Sequence, residues 1–212
     1  MPSGPQRYPG ASIRYWFQNK FPGEVQQVNT VVLHTTEGTT VPSYAGGSTA
    51  PNFTLMPDLH TKRIVIYQHF DFDRSSRALA NKPGGVQTNT LNVTQVELVG
   101  TCDPVTRDKW VKASRSHIFW PQAPLWALEG LAELLLWAHR EHGVPLTGPD
   151  SWKAYPGSYG ATAARMTASQ WNNFRGICGH QHVPENDHGD PGSLNFRHIM
   201  ELVKKKKSEA NL

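Results

Sequence analysis

Residues 178 to 192, Cys-Gly-His-Gln-His-Val-Pro-Glu-Asn-Asp-His-Gly-Asp-Pro-Gly, exclude more structures than any other part of the chain. Two prolines and three glycines interrupt them, which suits neither helix nor strand, so the stretch must be a loop supported by the domain beneath it. Three histidines and three carboxylates fall within its fifteen positions. Donor atoms at that density in a rigid loop invite a metal ion.

Such a loop needs a scaffold, and 212 residues suffice for one large domain. Residues 28 to 34 form a β-branched run ending in His34 and the polar loop Thr35-Thr36-Glu37-Gly38, which places His34 at the C-terminal edge of a buried strand. Strands are also expected over 53 to 56 and 64 to 70, joined by a polar turn. A fourth, over 93 to 100, puts Val93, Gln95, Glu97 and Val99 on one face and Thr94, Val96 and Leu98 on the other. Glu97 is then a carboxylate inside an apolar strand, beside the strand that ends in His34.

The period changes at Pro124, where Leu128, Leu131, Ala132, Leu135 and Ala138 make one helical stripe that stops at Gly143. A short helix is expected from Thr167, as N-cap, to Arg175, and a last one from Ser193 to Lys206. Residues 1 to 27 read as an irregular arm packing on the domain, 28 to 203 as the domain itself, and 204 to 212 as a basic tail or linker. The loop over 144 to 166 carries Trp152, Tyr155 and Tyr159, either as a wall facing a ligand or as packed surface aromatics.

A net charge of +4, with four lysines in Lys204 to Lys207, leaves no basic stripe of the kind that tracks nucleic acid. Two cysteines give no disulfide framework, and Cys178 reads as a small hydrophobe. No secretion signal and no apolar run of about 18 residues is present, so a soluble chain without membrane insertion is expected.

A catalytic metal site takes three protein ligands from elements distant in sequence and leaves one position open. His34 supplies one. Within the loop His180 and Asp190 are the favoured pair, since His180 ends an apolar segment and Asp190 is fixed by Pro191-Gly192. His182, His188, Glu185 and Asp187 then stand outside the ligand set. The spacing itself names no metal.

Three segments in order, Val31 to Gly38, Val96 to Gly100, and Gly179-His180 with Asp190-Pro191-Gly192, resemble the signatures of the type 2 N-acetylmuramoyl-L-alanine amidases. These zinc enzymes are relatives of the peptidoglycan recognition proteins and of phage endolysin amidase domains. The likeness runs from about Val28 to Phe196, and its wording is nearest to endolysins of phages that infect actinobacteria. It implies an α/β fold of the zinc amidase and peptidoglycan recognition protein kind, with a mixed central β-sheet flanked by helices. It makes His34, His180 and Asp190 the ligands of one Zn²⁺ and Glu97 the acid that moves a proton from water to the leaving amine. His188 falls where many members have lysine, and would stabilise the oxyanion. Pro51 stands where some phage amidases have a tyrosine, which leaves Glu97 as the one matched group for proton transfer; Asn52 would contact substrate, or else be the turn residue that an Asn ahead of a strand more often is.

The resulting expectation is an endolysin that cuts the bond between N-acetylmuramic acid and L-alanine in bacterial peptidoglycan. It would be a monomer made in the cytoplasm and reach the wall through a membrane pore. The rival readings are a peptidoglycan-binding module without catalysis and a metal-dependent nuclease.

Overall fold

The computed structural model describes residues 4–209; residues 1–3 of the expected arm and 210–212 of the expected tail lie outside the described residues. Among the described residues five strands form one mixed sheet, in the spatial order β3 (Arg63–Gln68), β2 (Phe53–Asp58), β4 (Val93–Leu98), β1 (Thr30–Thr35), β5 (Gly176–Gly179). β1 lies at its heart, with β4 and β5 parallel on either side. β2 runs parallel to β4, and β3 closes the far edge antiparallel to β2. All six residues of β1 are buried, as a strand covered on both faces requires.

Alternation along β1 separates two environments. Val31 and Leu33 join Val96, Leu98 and Ile177 in the main apolar core, beneath α2 (Leu125–His142) and α4 (Phe196–Glu209). Val32, Val93 and Cys178 point to the opposite face and pack with Leu79, Trp171 and Val183 in a smaller cluster. On the helix side, Gly130 lets α2 approach β3, because a Cβ there would lie 2.5 Å from Ile64. Gly143 ends α2 in the left-handed conformation at φ 72°, which only glycine adopts without strain.

The expected helices and strands are present with shifted ends. Thr167 caps α3 (Ala168–Asn173) in a capping box with Gln170. α4 begins three residues later than expected and continues through the lysines to Glu209, so residues 204–209 are helix, tied to α2 by Lys206 on Glu133 at 2.9 Å. Two elements were not anticipated: β5, too short for periodicity to show, and α1 (Pro104–Lys112), capped by Asp103. The arm follows the open edge of β3, where the Ser12 amide donates to the Ile66 carbonyl and the Gln68 amide to Ser12. No helix among the described residues is long and apolar enough to cross a membrane.

Candidate metal centre

The parallel pairing of β1 with β4 sets His34 directly beside Glu97, on the face away from α2 and α4. β5 ends at Gly179 opposite Leu33, so His180 emerges at the same C-terminal edge of the sheet. The loop then turns back, and Asp190 meets both histidines. His34 Nδ1 lies 3.0 Å from His180 Nδ1. Asp190 Oδ1 is 3.2 Å from His180 Nδ1, and its Oδ2 is 3.7 Å from His34 Nδ1.

Three donors with bonds of about 2.0–2.1 Å to a tetrahedral zinc stand about 3.3 Å apart; the contacts of 3.0, 3.2 and 3.7 Å here, the last two to different oxygens of Asp190, bracket that spacing. Two imidazole nitrogens converging on each other and on a carboxylate need a cation or a proton between them. The donor set therefore fits zinc.

Neighbouring groups fix which ring nitrogen faces the centre. Asn186 Oδ1, held by the Ala80 amide at 2.9 Å, lies 3.1 Å from His180 Nε2; Nε2 therefore carries the hydrogen and leaves Nδ1 free as a ligand. His34 Nε2 is buried without a hydrogen bond in this geometry, with the Gln95 side chain of β4 beside it on the same face of the sheet. Asp190 Oδ2 accepts from the Thr35 amide at 3.0 Å.

Burial, then the neighbouring His180, lowers the pKa of His34 to about 3, so its ring is neutral and ready to coordinate. Burial raises Asp190, but the two histidines and the Thr35 amide outweigh it and hold the carboxyl below the usual range. Glu97 shifts the other way. Burial first, then the charges of Asp190 and Glu37, push it well above the ordinary carboxyl value, and its Oε2 has no hydrogen-bond partner. A cation at the ligand set acts in the opposite sense and draws Glu97 back toward ionisation.

Arg165 fastens the loop. Its guanidinium donates to the carbonyls of His180 (3.2 Å), Val183 (3.1 Å) and His188 (2.8 Å), and its Nε donates to Gly160 (2.6 Å). His182 has a structural role: Nδ1 accepts from the Gly179 amide and Nε2 donates to the Ser151 carbonyl, each at 2.9 Å. Glu185 accepts from the Val86 amide at 2.9 Å and ties in a neighbouring loop.

The ligands and Glu97 line a cleft of about 580 Å³ that extends past Tyr44 toward Lys82. A second cavity of about 220 Å³, walled by Tyr155 and Tyr159, adjoins it across Asp190 and His188. His188 stands at the rim with 71% of its side chain exposed, its Nδ1 3.8 Å from Asp190 Oδ1. Trp152 does not face the cleft; it packs between His182 and Phe196.

Asn52 corrects one expectation. It is fully buried, donates to the Asp71 and Arg74 carbonyls and accepts from the Gln95 amide, so it cannot reach a ligand in the cleft. The resemblance also left Glu97 without a companion, whereas the structure brings Tyr44 to the same cleft from a loop seven residues before Pro51. Tyr44, Asn186, Gln95 and Arg165 were not singled out in the sequence. Only Asn186 lay within the histidine-rich loop, where its amide was a visible signal.

No family model matches the chain, and no curated protein sequence does either. Among solved structures, the Staphylococcus aureus hydrolase AmiA in complex with its ligand is similar, with a TM-score of 0.50 and 12% identity over 95% of this chain and 80% of that one. The catalytic domain of XlyA is similar at a TM-score of 0.44 and 13% identity, over 86% of this chain and 90% of that one. At such identity the likeness is one of architecture: the chain has the α/β fold of the hydrolase AmiA, with a mixed sheet flanked by helices.

Proposed function

We propose that this protein is a zinc-dependent N-acetylmuramoyl-L-alanine amidase, hydrolysing the amide between the lactyl group of N-acetylmuramic acid and the L-alanine of the stem peptide. The observation that carries this reading is the meeting of His34, His180 and Asp190 with the buried carboxyl of Glu97 in one open cleft. The fold shared with a hydrolase supports water as the co-substrate, and the order of the sequence signatures supplies the bond.

His34 Nδ1, His180 Nδ1 and an Asp190 oxygen would hold the ion. Zinc bound there supplies Lewis acidity toward the scissile carbonyl and lowers the pKa of water. Glu97, kept basic by its burial, takes a proton from the attacking water as the oxygen adds to the carbonyl carbon. It returns that proton to the amide nitrogen as the carbon–nitrogen bond breaks, leaving a lactyl carboxylate and a free alanine amine. His188, at the rim, donates a hydrogen bond to the carbonyl oxygen as negative charge grows on it.

The adjoining cavity with Tyr155 and Tyr159 lengthens the groove, as a glycan and peptide polymer requires. In this reading the chain works as a monomer on peptidoglycan, with no nucleic acid partner, and reaches the wall after release through a pore, as an endolysin does. The test is the release of alanine amino termini from purified sacculi, blocked by a chelator and restored by zinc. Sacculi that are bound but yield no new termini would make it a binding module instead.

A further inference from the structure

A single chain of hydrogen bonds runs beneath the cleft, and its direction is set by one backbone carbonyl. The Tyr15 carbonyl, on the arm, lies 2.7 Å from His69 Nδ1; His69 Nε2 lies 2.8 Å from Thr54 Oγ1; and Thr54 Oγ1 lies 2.7 Å from the Tyr44 hydroxyl. His69 and Thr54 are wholly buried, and Tyr44 nearly so. A carbonyl has no proton to give, so Nδ1 of His69 carries the hydrogen. Burial lowers the pKa of His69 to about 4, the ring is neutral, and Nε2 can only accept. Thr54 therefore spends its one proton on His69, and Tyr44 spends its own on Thr54.

The consequence reaches the cleft. Tyr44 lines it together with Glu97, and Thr54 is the neighbour of Glu97 across β2 and β4. A phenol whose proton is already committed can only accept from anything else it meets. Tyr44 is also held in the left-handed backbone region at φ 51°, with Ala45 next to it at φ 49°, conformations that cost a non-glycine residue energy and persist only where the surroundings impose them. Phe17 of the arm stacks on His69 at 5.4 Å and packs against the cluster of Tyr44, Ala50 and Phe70, so the arm supports both ends of the arrangement.

We infer that Thr54 and His69 are positioning residues that hold the Tyr44 hydroxyl as a hydrogen-bond acceptor toward the cleft, where it receives an N–H of the substrate. This rests on the proposed amidase reading for its substrate, but not for its hydrogen-bond direction. Thr54→Val keeps the shape and removes the hydroxyl; Thr54→Ser keeps the hydroxyl; Tyr44→Phe removes the acceptor.

In sacculus hydrolysis, Thr54→Val is expected to lower kcat about tenfold with KM changed less than about twofold, and Thr54→Ser to restore it. On a Tyr44→Phe background, Thr54→Val should add nothing. By NMR, His69 in the wild-type protein should carry its proton on Nδ1, and the Tyr44 ring Cζ shift should move in Thr54→Val and return in Thr54→Ser. An equal loss in both backgrounds, a proton on Nε2, or an unmoved Cζ shift would overturn the inference. Wild-type protein that releases no alanine termini would defeat the amidase reading, while the NMR arms still decide the chain. Should Thr54→Val fail to fold, the wild-type tautomer and the Thr54→Ser variant carry the test.

Discussion

The two faces of β1 obey different rules, although their residues alternate along the same strand. Val31 and Leu33 sit among aliphatic and aromatic side chains under α2 and α4, where volume and apolarity are what matter. Val32 and His34 look the other way, into a small apolar cluster and then into a polar site whose parts are fixed one hydrogen bond at a time. The first face holds the molecule together. The second uses that rigidity to keep groups that are costly to bury.

Substitutions on the two faces should therefore separate stability from chemistry. The largest contrast is between Asp190→Ala and Leu131→Ala. Asp190→Ala is expected to abolish zinc binding and lower wall hydrolysis by at least about a thousandfold with the fold retained, measured by metal content and amine release. Leu131→Ala, in the fully buried core, should cost about 2–5 kcal/mol in denaturant unfolding while the folded fraction still binds zinc.

Glu97→Gln sharpens the contrast within the site. It should lower kcat by about 10²–10⁴-fold with zinc content unchanged. The metal-free variant should also melt at a higher temperature than the metal-free wild type at neutral pH. Because the folded-state pKa of Glu97 is raised, its stabilising contribution is present in acid and lost as pH rises toward that value, so ionised Glu97 opposes folding. An unchanged or lower melting temperature would contradict the description of Glu97 as a buried, unpartnered acid.

Arg165→Met tests whether the loop is built to hold the ligands. Zinc affinity by calorimetry is expected to fall about 10–100-fold, with activity largely recovered at excess zinc. His188→Ala makes the complementary case: turnover should fall more than zinc affinity, since His188 stands at the rim and not among the ligands.

The smallest effect is a pH trend in the metal-free protein. Burial depresses His34 to about 3 and His69 to about 4, and it lowers His182 as well. Groups with depressed folded-state values stabilise the fold above the unfolded value of about 6.5 and lose that contribution as pH falls. On the Glu97→Gln background, which removes the opposite trend of that carboxyl, melting temperature should therefore decline from about pH 6.5 toward pH 4, and zinc should offset the decline while it remains bound. A flat profile over that range would mean that these rings are not held neutral.

The same division explains what could be read from the sequence. The helix-covered face was legible because periodicity reports burial: the stripe from Leu128 to Ala138 and the alternation of β4 both appear in the fold. His34, Glu97, His180 and Asp190 were legible as chemistry embedded in, or just beyond, apolar runs, and the structure brings all four into one cleft. Tyr44 was not, because its loop has no period and its place depends on Thr54 and His69, ten and twenty-five residues away. Arg165 was invisible for a similar reason: it binds carbonyl oxygens, which every residue has. Asn52 was proposed to contact substrate although an Asn ahead of a strand is more often a turn residue, and here its amide clamps backbone groups. α1 was missed since Val105 and Val111 lie exposed and leave no apolar stripe to detect.

The polar face of this sheet is proposed to cut one particular amide. Mass spectrometry of purified walls digested by the protein, with and without a chelator, tests it most directly. The expected products are intact glycan chains whose muramic lactyl groups end in free carboxylates, together with stem peptides beginning at L-alanine, both lost when zinc is removed. Fragments with new reducing sugar ends, or peptides cut between amino acids, would contradict it.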